Sequence, residues 1–86
     1  MSDSLRAEIK QAIVRSLRLP IAPDEIQDDA ALFGEGLGLD SIDALELVLE
    51  IERTFGVAIS DEQTGTAVLR SVDSIAEHIT ASRAAS

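Results

Sequence analysis

An all-α fold, a small bundle of three main helices plus one short one, is the architecture this chain predicts. Three observations lead there. Apolar residues recur at helical spacing in three separate segments, each bounded by capping or stop residues. No convincing strand pattern lies between them. The core material is aliphatic: 45% of the 86 residues are apolar, and Phe33 and Phe55 are the only Phe, Tyr or Trp residues. That content exceeds what a disordered chain carries. The length suits a single domain with one small core and no deep, walled active site.

The first helix is expected from about Ser4 to Leu19. Leu5, Ile9, Ala12, Ile13 and Leu17 form its apolar stripe, Arg6, Lys10, Arg15 and Arg18 lie off it, and Pro20 stops it. Residues 20–39 read as a long loop with Pro23, Gly34, Gly36, Gly38 and four acids between Asp24 and Asp29. Loops this long in compact domains are commonly functional. Ile21, Ile26, Leu32 and Phe33 are expected to pin it to the core. The second helix starts behind Asp40 as N-cap. Asp43, at the third helical position, suits the positive end of the helix. It runs to about Phe55 and ends at Gly56. Val57-Ala58-Ile59 is a short extended link, Ser60 caps a short helical turn from Asp61, and Gly65 ends that turn. A last helix starts near Ser71, with Ser74 at the third position and Val72, Ile75, Ala76 and Ile79 as its stripe. The domain core spans about 4–80, and 81–86 is expected to be a frayed tail.

Charge narrows the function classes. The net charge is −9, and its distribution is uneven. Residues 1–20 hold two acids and four bases, residues 21–65 hold twelve acids and one base, Arg53, and residues 66–86 hold two of each. Nucleic acid and anionic membranes are poor partners for such a chain, whereas basic protein surfaces are good ones. There is no cysteine, so no disulfide, thiolate metal site or cysteine nucleophile. The acids Asp24, Glu25, Asp28 and Asp29 lack the glycine and closing glutamate of a calcium loop, and no metal site is expected. No apolar run reaches membrane-spanning length, and the first residues do not read as a signal peptide. A cytoplasmic monomer is the expectation.

The second helix carries more apolar surface than one buried face requires. Leu47, Val48, Ile51 and Phe55 make one stripe, and Ile42, Leu45 and Leu49 make another, rotated partly away. Either this helix sits centrally and is covered from two sides, or the second stripe is the apolar centre of a docking site with an acidic rim.

Ser41 stands at the junction of a glycine-rich stretch and this helix, in Gly36-Leu37-Gly38-Leu39-Asp40-Ser41-Ile42-Asp43. It is not a self-activated nucleophile. A catalytic serine needs a base in hydrogen-bond reach, and the single histidine, His78, reads as a surface or edge residue of the last helix. No residue is assigned a catalytic role. A serine without a base suits modification by another enzyme. A phosphodiester at a helix start meets free backbone N–H groups and the positive dipole end.

The run from Leu37 to Asp43, followed by Leu45-Glu46-Leu47, resembles the attachment motif of acyl carrier proteins. The likeness extends to Ala22-Pro23-Asp24-Glu25-Ile26 in the first loop, to Glu50-Ile51-Glu52-Arg53-Thr54-Phe55-Gly56-Val57-Ala58-Ile59-Ser60-Asp61-Glu62, and to Ser71-Val72, Ile75 and Ile79. The resemblance implies that Ser41 takes 4′-phosphopantetheine from coenzyme A and that Asp40 orients the site. It implies that Ile42, Asp43, Leu45, Glu46, Leu49 and Glu50 dock partners, and that Leu47, Val48, Ile51 and Phe55 line a core able to shelter an acyl chain. The implied partners are a phosphopantetheinyl transferase, acyl-loading enzymes and ketosynthases. The implied role is a carrier, not an enzyme, in fatty-acid or specialised polyketide-type biosynthesis. Gly36 stands where many members carry an acid, and the stretch from Gln63 to Leu69 departs from the usual acidic third helix. Both point toward a specialised pathway. The initiator Met and the tail suggest a free-standing carrier.

Two other readings keep the fold. A peptidyl or aminoacyl carrier is generally less acidic, and Asp43 and Glu46 favour the acyl type. An unmodified helical adaptor would keep the acidic face without the arm. Clustered acids imply self-repulsion that salt screens. The melting temperature is therefore expected to rise with added salt or divalent cation, and a melting temperature indifferent to both would count against the clustered-charge picture.

Overall fold

A computed structural model describes residues 3–33, 40–59, 65 and 67–85. Three α-helices, α1 (Asp3–Leu17), α2 (Ser41–Phe55) and α3 (Val72–Ala85), follow one another, with a 3-10 turn at Pro23–Glu25 between the first two. Among the described residues there is no β-strand. The glycine-rich stretch 34–39 and the expected cap at Ser60 lie outside the described residues.

α1 is the element on which the others assemble. It packs against α2, α3 and the 3-10 turn. Its stripe of Leu5, Ile9, Ala12 and Ile13 is buried, as the sequence spacing predicts. Across from it sit Leu47, Ile51 and Phe55 of α2, and Val72, Ile75, Ala76 and Ile79 of α3. Burying a side chain the size of Ile9 or Ile13 contributes roughly 1.5–3 kcal/mol. Ile26 and Leu32 of the loop are buried in the same core, and Ile21 and Phe33 pack against its edge. The loop is also tied by its backbone: the Leu32 N–H donates to the Arg70 carbonyl (3.0 Å), and the Asp73 N–H donates to the Asp28 carbonyl (2.9 Å).

Side chains of α1 that lie off its stripe hold neighbouring elements. Arg6 donates to Asp73 at the start of α3 (2.9 Å), and the Lys10 ammonium sits 2.6 Å from an Asp28 carboxylate oxygen in the loop. The Lys10 contact holds the Asp28 carboxyl below its usual range. Sequence periodicity placed these bases off the core stripe but did not show that they clamp the loop.

Each helix end has a local cause. α1 stops at Leu17, two residues before the expected end. Arg18 turns left-handed (φ 52°), and the Leu19 N–H reaches back to the Val14 carbonyl at 3.1 Å. That six-to-one bond is the Schellman closure, with Val14 and Leu19 packed on the core edge. Pro20 biases Leu19 away from helical geometry. α2 ends at Gly56, left-handed at φ 67°, whose N–H bonds to the Glu52 carbonyl. α3 begins with a reciprocal cap. The Ser74 N–H donates to Ser71 Oγ (3.2 Å), and the Ser71 N–H donates to Ser74 Oγ (2.9 Å).

Residues 81–85 form the last turn of α3, and one expectation, at Gly65, is corrected. Ala81, Ala84 and Ala85 are strong helix formers, and Arg83 suits the negative end of the helix. Gly65 does not end a turn. It is helical, and its carbonyl accepts the Leu69 N–H at 2.9 Å. It lies buried where an added methyl group would be 3.5 Å from Ile59 Cγ2 and 3.9 Å from Val48 Cγ2.

Arg18 carries the side-chain crowding of a left-handed residue at a position that favours glycine. Arg18→Gly is expected to raise the unfolding free energy by about 0.5–1 kcal/mol, read as a higher denaturant midpoint at unchanged slope. A lower midpoint would mean that the Arg18 side chain stabilises the helix end in another way.

Candidate functional site

Ser41 is the first residue of α2 and is exposed. The helix start beneath it is fixed by two aspartates that cap each other's backbone. Asp43 N–H donates to Asp40 Oδ1 (3.0 Å), and Asp40 N–H donates to Asp43 Oδ2 (3.1 Å). The Ala44 N–H closes the first intrahelical bond to the Asp40 carbonyl (3.0 Å). This capping box commits both carboxylates to the backbone and leaves the first-turn N–H groups of Ser41 and Ile42 without intrahelical acceptors. A negative group attached to Ser41 Oγ would stand beside those N–H groups and the positive end of the helix dipole. The residues therefore suit a phosphodiester-linked group on this hydroxyl.

Among the described residues, no side-chain base is hydrogen-bonded to the Ser41 hydroxyl. His78 is occupied elsewhere: its Nε2 bonds to the Ala58 carbonyl at 2.9 Å, which clamps the link after α2 to α3. The expectation of a surface or edge histidine is thus refined to a structural one. No group of His, Cys, Asp or Glu among the described residues has the arrangement of a metal site. A surface groove of about 300 Å³ lies between α1 and the loop, lined by Arg6, Lys10, Asp24 and Asp28 among others. Arg6 and Lys10 pair with Asp3 and Asp28 in its lining, and Ser41 is not among the lining residues.

The two apolar stripes of α2 separate as the spacing predicts. Leu47, Ile51 and Phe55 are buried, and Val48 packs partly buried against them. Ile42, Leu45 and Leu49 stay in the open, at 67, 60 and 58% exposure. α1 rather than α2 is the hub of the bundle, so the outer face of α2 has no second neighbour among the described elements. Glu46 is exposed on that face, and Asp43 is half-buried by its cap. The structure therefore brings Ser41, Ile42, Leu45, Glu46 and Leu49 onto the exposed side of α2, with Asp43 at its edge.

Glu50 does not belong with them. It is only 6% exposed and faces α1. Arg15 Nη2 of α1 donates to Glu50 Oε2 at 2.6 Å, Arg53 Nη2 donates to Oε1, and the Thr54 hydroxyl donates to Oε2 at 3.1 Å. Placing Glu50 among the docking acids is corrected on this ground: three donors hold its carboxylate against the body of the protein. The Arg15 hydrogen bond leads in holding this carboxyl below its ordinary range, against the opposing effect of burial. A signal for this was present in the chain. Glu50 falls three residues after Leu47 and one before Ile51, at the margin of the buried stripe, with the lone base of the acidic stretch, Arg53, three residues on.

Comparison with known proteins agrees with this geometry. A family model described as a phosphopantetheine attachment site matches residues 7–79. The acyl carrier protein of Rubrobacter xylanophilus is 40% identical over 80 residues, covering 88% of this chain and 98% of that protein. That of Zymomonas mobilis subsp. mobilis is 41% identical over 81 residues, covering 91% and 97%. That of a Sulfurovum species is 39% identical over 56 residues, covering 65% and 71%.

The depressed Glu50 carboxyl makes a definite contribution to pH dependence. Its stabilisation is complete above the ordinary glutamate range and is lost as pH falls through the lower folded value. Glu50→Gln is expected to cost about 1–2 kcal/mol at neutral pH. The gap from wild type should close in acid, as measured by denaturant unfolding across a pH series. A gap independent of pH would show that the carboxylate charge is not what stabilises.

Proposed function

Because this chain belongs to the acyl carrier protein family, whose domain bears covalently attached 4′-phosphopantetheine, we propose that Ser41 is the residue that takes the arm and that the chain carries acyl groups between enzymes of fatty-acid or specialised polyketide-type biosynthesis. The observation that carries the assignment is the position of Ser41, an exposed hydroxyl on the first residue of α2 behind the Asp40–Asp43 capping box. When bound, the arm supplies a terminal thiol that holds the cargo as a thioester.

The chain's own residues do the remaining work. Ser41 Oγ would hold the arm through a phosphodiester to the pantetheine-side phosphorus of coenzyme A, with the nucleotide portion as the leaving group. The hydroxyl proton leaves to a base of the phosphopantetheinyl transferase, since no described side-chain base here is hydrogen-bonded to that hydroxyl. Asp40 holds the helix start rigid by capping Asp43, so Ser41 is presented in one place. Ile42, Leu45 and Leu49 supply an apolar contact for the transferase, acyl-loading enzymes and ketosynthases, with Asp43 and Glu46 as the acidic rim. Leu47, Val48, Ile51 and Phe55 form the wall behind which an acyl chain could insert. The chain acts as a cytoplasmic monomer that serves as a substrate of its partners.

Incubation with coenzyme A and a broad-specificity phosphopantetheinyl transferase, followed by intact mass, tests the reading. The expected result is a gain of one phosphopantetheine in wild type and none in Ser41→Ala. No gain under conditions that load another carrier would move the assignment to an unmodified adaptor on the same fold.

A further inference from the structure

The outer face of α2 is not uniformly acidic. Ile42, Glu46, Leu49 and Arg53 follow one another at spacings of four, three and four residues, which sets them on one line along the helix. The first three are exposed, and the Arg53 side chain is 80% exposed. At the Ser41 end the charges are Asp40, Asp43 and Glu46. At the other end, about 18 Å along the axis at 1.5 Å per residue, bases join the acids. There two guanidinium groups, those of Arg53 and of Arg15 on α1, share the single Glu50 carboxylate, which is itself 7% exposed. Glu52 lies on the opposite edge of the apolar stripe, and its carboxylate accepts the Ile59 N–H at 3.0 Å. With Glu50 drawn inward and Glu52 turned to the Ile59 N–H, the exposed charge on the line of Ile42, Glu46 and Leu49 at this end is the Arg53 guanidinium.

An exposed guanidinium gains little from a surface ion pair, and its remaining donors face solvent. Such a group acts on a partner instead. A base opposite it costs affinity and a carboxylate opposite it restores affinity, which is how charged rims set partner choice. We infer that the docking face of α2 is bipolar, and that Arg53, backed by Arg15, selects partner enzymes whose footprint is basic near Ser41 and bears a carboxylate at its far end. This rests on the proposed docking role of the Ile42–Leu45–Leu49 face and names the partner chemistry that face requires. An enzyme whose carrier-facing rim is basic throughout is disfavoured at the Arg53 end.

A double-mutant cycle tests it. The probe is a ketosynthase with a wholly basic carrier-facing rim, together with variants in which each rim Lys or Arg is changed singly to Glu. Kd is measured by titration with the full-length chain, before and after loading. Wild type is expected to bind one of these variants about two- to fivefold more tightly than the parent enzyme. The gain should disappear in Arg53→Gln, persist in Arg53→Lys and shrink in high salt. Arg15 and Thr54 continue to hold Glu50 in Arg53→Gln, and its melting temperature is followed in parallel. The inference is overturned if no rim reversal tightens binding, or if the gain survives in Arg53→Gln. It is also overturned if Arg53→Gln moves only the melting temperature, which is the mark of a residue acting through Glu50 alone. Loading of Ser41, read separately by mass, shows whether the carrier assignment stands whatever the cycle returns. A chain that loads but binds no form of the enzyme removes the docking face and this inference together.

Discussion

The aliphatic face of α1 is the surface on which α2, α3 and the 3-10 turn all pack, so the fold exists only while Leu5, Ile9, Ala12 and Ile13 stay covered. With two phenylalanines and no other large aromatic, the core draws its stability from many small aliphatic contacts rather than from a few large rings. One helix serving three neighbours explains why the bases of α1 sit where they do. Arg6, Lys10 and Arg15 flank the buried face and reach Asp73, Asp28 and Glu50, one acid on each of α3, the loop and α2. Apolar burial supplies the driving force, and the flanking ion pairs set which part of each neighbour comes to rest against α1.

This arrangement shapes the site at a distance. The bases of α1 pair with acids of the loop, α2 and α3 along the margins of its buried face. The acids at the start of α2 have no such partner, and two of them, Asp40 and Asp43, are consumed by the helix cap instead. A helix that begins by capping itself needs nothing from the loop before it. Its first residue can therefore stay exposed without loss of order. The same hub position of α1 leaves the far side of α2 bare, which is why Ile42, Leu45 and Leu49 remain in solvent while Leu47 and Ile51, only a residue or two away in sequence, are buried. A helix end fixed by its own cap and a bare outer face both follow from α2 being a peripheral helix rather than a central one.

The described part of the long connection from α1 to α2, up to Phe33, is held against the core. It is pinned by Ile26 and Leu32 in the core and by backbone bonds to Arg70 and Asp73. Those bonds join the loop to the start of α3, so the loop and α3 are positioned together. At the other end of the molecule His78 fixes the Ala58 carbonyl, and Glu52 accepts the Ile59 N–H. The link after α2 is thus held from α2 and from α3 at once.

Much of this was legible in the chain. The periodicity of Leu5, Ile9, Ala12 and Ile13, the caps at Asp40, Ser71 and Gly56, and the separation of α2 into two apolar stripes depend on local chemistry, and they appear in the structure where the spacing put them. Ser41 stood out for the same local reason, because a cap and a helix start are written in neighbouring residues. The end of α1 at Leu17 was misjudged because helix ends depend on small propensity differences that spacing does not weigh. Three things were decided only by tertiary structure. Whether the second stripe of α2 is covered depended on which helix became the hub. Whether Glu50 faces water or α1 depended on Arg15, thirty-five residues away, arriving beside it. Whether the outer face of α2 is uniformly acidic depended on that same meeting, which drew Glu50 inward and left Arg53 at the surface. A sequence states each side chain's charge and its angle around its own helix, but the neighbour that neutralises the charge comes from another helix, and only packing brings the two together.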